Sequence, residues 1–105
     1  VIRRIWRAWA TTEKASAYEA LLRDEVFVNI KKRGIEGFRN VHLLRRDHAD
    51  DVEFVILMTF DSIDAVKALV GENYEVAFVP DKARALLSHF DERAQHYEVR
   101  IIVEQ

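Results

Sequence analysis

The chain has 105 residues, half of them hydrophobic and 32% charged, which is ordinary globular composition and enough for one domain spanning residues 1–105. Sixteen Lys and Arg against 18 Asp and Glu give a formal net charge of −2, so the basic excess that drives phosphate binding is missing and no nucleic-acid partner is expected. Cysteine is absent, which excludes disulfides, thiolate metal ligands and thiol nucleophiles, and no apolar run approaches the roughly 18 residues of a membrane span.

Val1 to Trp9 is rich in β-branched and aromatic residues without a helical period, and reads as a first strand. Thr11, Thr12 and Glu13 then offer a helix N-cap with an acid in the first turn. Tyr18, Leu21, Leu22, Val26 and Ile30 follow mostly at three- and four-residue steps, the apolar face of a long helix. Lys31, Lys32 and Arg33 place cations at its end, and Gly34 supplies the left-handed stop. Phe38 to Arg45 and Val52 to Phe60 read as second and third strands, and the short turn between them requires an antiparallel pair. Asp61 or Ser62 caps a second helix, with Asp64 as capping-box partner of Asp61; Ala65, Val66, Leu69 and Val70 form its apolar face and Gly71 its stop. Pro80 suits the first turn of a short helix, and His96 to Val103 reads as a fourth strand.

The order β-α-β-β-α-β predicts an α+β domain of ferredoxin-like form, a four-stranded antiparallel sheet with helices on one face. Helices cover only that face, yet strand three runs Phe54-Val55-Ile56-Leu57-Met58 without polar alternation, strand two contains Val41 and Leu43-Leu44, and strand four ends Ile101-Ile102-Val103. The second face therefore needs cover, and a second copy of the same face provides it, giving a homodimer. With Trp6 toward the helices, Arg3, Ile5, Arg7 and Trp9 point away, and Glu53, His96, Glu98 and Arg100 are expected on that distal face, where opposed Arg and Glu form charge pairs. A chain without a membrane span or a charged-then-apolar leader is expected in the cytoplasm. Val1 falls inside what reads as a strand and is no initiator methionine, which leaves open whether residues precede it.

The stretches RRIWRAW, TTEKASAYEALL, FVILMTFDSIDAVKAL and ENYEVAFVPDKARALLSHFDERAQHYEV together resemble the antibiotic biosynthesis monooxygenase family, part of the dimeric α+β barrel superfamily. The resemblance spans essentially the whole chain and is one of pattern and spacing, with no short invariant motif. It implies paired ferredoxin-like domains and a small-molecule pocket between sheet and helices, and it leaves the chemistry open among several activities. The haem-degrading branch uses an asparagine on strand one, a tryptophan ending strand three and a histidine on the following helix. Here the matching positions are Trp6, Phe60 and the stretch Tyr74 to Val79, which has no histidine, so haem degradation is not expected.

The pocket the resemblance implies is lined by Trp6, Tyr18, Met58, Phe60, Tyr74, Phe78 and Phe90, residues that could equally fill a core. Trp6 and Tyr74 stand out because a buried indole or phenol wants a partner that a ligand can supply. Arg4, on the Trp6 face, is placed to hold an anionic substrate oxygen or to reach past the sheet edge into water. Among the histidines, His48 lies in an acidic turn, and His42 and His96 fall on opposite sheet edges, so no metal site is expected. His89 is the candidate general base, its alternative being a helix-end histidine interacting with the dipole. The substrate-binding set is thus Arg4, Trp6, Tyr18, Phe60 and Tyr74. The expected function is a dimeric, cofactor-independent monooxygenase of a small aromatic or quinol substrate; the alternative is a non-catalytic ligand-binding or stress-associated dimer.

Overall fold

In the computed structural model, which describes residues 1–105, β1 (Ile2–Thr11) is the strand on which the sheet is assembled. It pairs antiparallel along all ten residues with β3 (Asp51–Phe60), from Ile2 opposite Phe60 to Thr11 opposite Asp51. On its other side it carries two short strands end to end, β4 (His89–Phe90) and β5 (Gln95–Glu98). β2 (Phe38–Asp47) forms the hairpin with β3, closed by the His48 amide donating to the Asp51 carbonyl at 2.8 Å. The sheet order β2-β3-β1-β4, all antiparallel and with helices on one face, is the expected ferredoxin-like α+β arrangement.

Two side-chain periods meet across this sheet. Arg4, Trp6, Ala8 and Ala10 on β1 and Val52, Phe54, Ile56, Met58 and Phe60 on β3 are all buried against the helices. Ala8 and Ala10 present little bulk to the helical layer, and with Ala15 and Tyr18 of the first helix they are at most 1% exposed. Tyr18 packs edge-on against Phe54 with ring centroids 5.1 Å apart. Strand three thus alternates in burial although it does not alternate in hydropathy.

The long helix forms as predicted but is not uniformly α-helical. α1 (Ala15–Leu21) and α2 (Phe27–Arg33) are joined without a break by a π turn, Leu22–Val26, in which the Phe27 amide donates to the Leu22 carbonyl five residues back. Its N-terminus departs from expectation: the first turn is entered through Lys14, and neither threonine caps it with a side chain. Gly34 ends it in the left-handed conformation (φ 58°, ψ 41°), and Arg33 donates to the carbonyls of Leu69 at 3.0 Å and Ala68 at 3.3 Å. Those carbonyls belong to the last turn of α3 (Ile63–Val70), so the arginine ties the C-terminal ends of the two helices together. At the other end of α3 the Ser62 hydroxyl accepts from the Ala65 amide at 3.2 Å, so Ser62 is the cap and the Asp61–Asp64 pairing is not used.

The largest difference from expectation is the fourth strand. It begins and ends early: β5 stops at Glu98, opposite Ile2, and one further bond, from the Val99 amide to the Val1 carbonyl at 2.9 Å, completes the ladder. Ile101, Ile102 and Val103 lie outside the sheet and are 65–87% exposed. Upstream of β5 the Asp91 amide still donates to Arg7 of β1, and residues 92–94 then bend away to bond with the segment after α3: the Ala77 amide donates to Glu92 and the Ala94 amide to Glu75. Between these lies α4 (Asp81–Arg84), a single turn entered through Pro80 as predicted. No helix is long and apolar enough to cross a membrane.

Candidate functional site

Sheet and helices do not close completely on each other. A cavity of about 490 Å³ remains, walled by Arg4 and Trp6 of β1, Ile56 and Met58 of β3, residues from Tyr18 to Arg33 along the long helix, Leu69 and Val70 of α3, and the segment Ala77–Pro80 with Ala83. Fourteen of its 18 lining residues are hydrophobic, so it suits an apolar molecule of small to moderate size. The π turn bears directly on it. Leu22 and Val26 come from the turn itself, and Phe27, Asn29 and Ile30 follow it. Phe78, at the mouth, is 84% exposed.

Four polar side chains reach this space. Asn29 and Arg33 are exposed and belong to the rim, whereas Arg4 and Tyr18 are buried in the wall, 7% and 1% exposed. Burial alone pushes the Tyr18 phenol up from its ordinary value, so it remains a protonated donor. Burial pushes the Arg4 guanidinium down, and its Nε is enclosed without a hydrogen-bond partner. Trp6 contributes only its ring, because its indole N–H donates to the Asp91 carbonyl at 2.6 Å. The indole is therefore not waiting for a ligand.

Of the expected binding residues the structure brings together Arg4, Trp6 and Tyr18, together with Met58 and Phe78. It does not bring the others. Phe60 is completely buried and edge-on to Phe38 at 5.5 Å, a core residue with no surface left for a ligand. Tyr74 lies outside the cavity lining, edge-on to His96 at 5.0 Å with the Lys67 ammonium 5.8 Å from its ring centre. His89 is corrected most sharply. It belongs to β4 instead of a helix end, sits opposite Trp9, and stacks on that indole at 4.3 Å on the distal face of the sheet. Strand alternation thus puts the sheet between His89 and the cavity.

His96 was expected on the distal face and lies on the other one. It stands opposite Arg4 in the β1–β5 ladder, and both its ring nitrogens are enclosed without partners. Burial first, and then the Arg4 charge, push its pKa below the ordinary value against a smaller opposing pull from Glu75, so the ring is neutral at pH 7. Gln95 and Tyr97 take the distal positions instead, opposite Ile5 and Arg3. The only sequence signal for His96 was its register with Arg4, and that depended on knowing where β5 begins. No three His, Asp or Glu side chains cluster as metal ligands.

Neither a family model nor a curated protein matches the sequence. Solved structures do. One, named "putative antibiotic biosynthesis monooxygenase" from Bacillus cereus, superposes with a TM-score of 0.66 over 99% of this chain and 97% of that one, at 16% identity. The chain therefore has the ferredoxin-like fold of that antibiotic biosynthesis monooxygenase-like protein along essentially its whole length.

Proposed function

We propose that this protein is a homodimeric, cofactor-independent monooxygenase acting on a small aromatic substrate of the quinol class in the cytoplasm. The observation that carries the reading is the apolar cavity of about 490 Å³ between sheet and helices, with one buried cation and one buried phenol in its wall. In such a reaction the quinol anion itself reduces oxygen. One oxygen atom enters the ring, the other leaves as water, and the quinol becomes a hydroxyquinone, having supplied all four electrons. The protein's part is to hold the ring in a dry pocket and to favour its anion. Dimerisation is supported by the distal sheet face, where Ile5, Val55 and Leu57 are only half-buried and Leu44 is 48% exposed.

A second reading has one observation in its favour. No carboxylate or imidazole lines the cavity, so a base is not at hand within it. That favours ligand binding without turnover. The experiment that decides is a thermal-shift screen over quinols, flavins and haem, followed by oxygen uptake with each compound that binds. Oxygen consumption with a bound quinol, stoichiometric with hydroxyquinone, is the expected result. A bound quinol with no uptake rules out the oxygenase and leaves the binding protein.

A further inference from the structure

We propose that the Arg4 wall of the cavity is an anion-recognition subsite, selecting ligands that carry a single anionic oxygen group, carboxylate or phenolate, on an apolar ring. The inference rests on the reading that the cavity holds a ligand, and it names the chemistry of that ligand.

An arginine cannot escape burial by losing its proton, so a buried guanidinium is ordinarily paired with an acid. Arg4 has none. It is 7% exposed, its Nε is enclosed without a partner, and it takes part in no ion pair, whereas Arg23, Arg39, Arg45 and Arg93 each have a carboxylate. Its cross-strand neighbours are Met58 on one side and His96 on the other, neither of which is an anion. Glu75, the acid whose charge reaches His96, is engaged by Arg93 at 3.5 Å. The space that Arg4 borders is the cavity, and the counter-charge that the chain withholds is left for a ligand to bring.

The rest of the wall limits the ligand further. The Trp6 N–H is already spent on Asp91, and the Tyr18 hydroxyl is a neutral donor. One cation and one hydroxyl suit one anionic oxygen group, and the remaining surface is apolar. For a phenol the same contact favours ionisation, because the guanidinium stabilises the phenolate and not the phenol.

The test compares ligands of equal shape. Calorimetric titration with 2-naphthoate and 2-naphthamide, on the wild type and on Arg4→Met and Arg4→Lys, reads the charge preference directly. We expect naphthoate to bind at least about 10-fold tighter than naphthamide to the wild type, and this preference to vanish in Arg4→Met and survive in part in Arg4→Lys. In a second arm, bound 4-nitrophenol is expected to turn yellow at lower pH than free nitrophenol, again only with a cation at position 4. A response to naphthoate alone assigns a carboxylate ligand, and a response to nitrophenol alone assigns a phenolate. The unliganded Arg4→Met protein is expected to melt on the order of 5 °C higher, because it no longer buries an unpaired charge. A lower melting point makes Arg4 a structural residue and counts against the subsite. Amide and acid binding equally well, with unshifted nitrophenol, overturn the subsite while the ligand cavity stands; failure of every probe to bind overturns both.

Discussion

Arg4 and His96 stand directly opposite each other in the β1–β5 ladder, and the guanidinium Nε and both imidazole nitrogens are buried without hydrogen-bond partners. Each makes the other's charged state more costly, and only the histidine can give way. Burial first, and then the Arg4 charge, depress its folded pKa below 6.5, so between that depressed value and 6.5 the unfolded chain binds a proton that the folded chain refuses. Stability should be fully present above pH 6.5 and fall as the pH drops below it, levelling off beneath the folded pKa. Denaturant titrations at pH 5.5 and 7.5 test the slope, and His96→Gln should flatten it. The Arg4→Met protein should show a higher His96 pKa by NMR than the wild type; an unchanged value would mean that the two side chains do not interact.

Trp6 contributes to the cavity wall and to the closure of the loop after β4 through its 2.6 Å bond to the Asp91 carbonyl. Trp6→Phe removes the donor and leaves that carbonyl unpaired, at a cost of about 1–3 kcal/mol in urea unfolding. The same change enlarges the cavity, so bulkier ring systems should gain affinity relative to small ones.

Gly37, ahead of β2, has φ +86°, and a Cβ there would meet the Cβ of Ala65 at 2.7 Å. Gly34 also has positive φ, yet nothing lies within 4 Å of its added Cβ. Gly34→Ala should cost about 1–2 kcal/mol for the left-handed backbone alone. Gly37→Ala carries that strain and a steric clash, and should cost about 1–3 kcal/mol beyond it. Equal losses for the two variants would show that the β2–α3 junction gives way freely.

Leu57 and Val55 lie on the distal sheet face, half-buried within one chain. If a second copy covers them, Leu57→Glu places a charge in that seam and light scattering should report a monomer where the wild type is a dimer. A wild-type monomer at micromolar concentration removes the basis of the dimer.

Much of the architecture was legible because it rests on local signals. Gly34 after a basic last turn, Ser62 before an apolar helical face, and two β-rich runs around a polar turn each have a short-range cause. The apolar period of the long helix placed Tyr18, whereas Trp6 and Met58 were expected in the wall only through the family resemblance, and three of the five expected binding residues do line the cavity. What failed depended on long-range pairing. Residues 86–103 contain apolar groups throughout, and only the partner strand decides which of them pair; β1 accepts His89–Phe90 and Gln95–Glu98 and leaves Ile101–Val103 outside. The short strand His89–Phe90 was not foreseen, which put His89 on the wrong element, and the unforeseen pairing of His96 with Arg4 put that ring on the wrong face. Phe60 and Tyr74 failed differently, since aromatic composition does not distinguish a residue that bounds a cavity from one that fills its neighbourhood.

The extra residue in the π turn at Leu22–Val26 has a consequence for how this site changes. A π turn holds one residue more than an α turn while the helix on either side stays in phase, so removing one residue restores an ordinary turn and redraws only the bulge. Leu22 and Val26, which the turn itself sends into the cavity wall, would then repack, while Phe27, Ile30 and the Arg33 bonds to the Leu69 and Ala68 carbonyls keep their places. The bore of the site is thus set by a count of residues as much as by their identity. A single deletion or insertion in one helical turn is enough to refit it to a narrower or wider ligand.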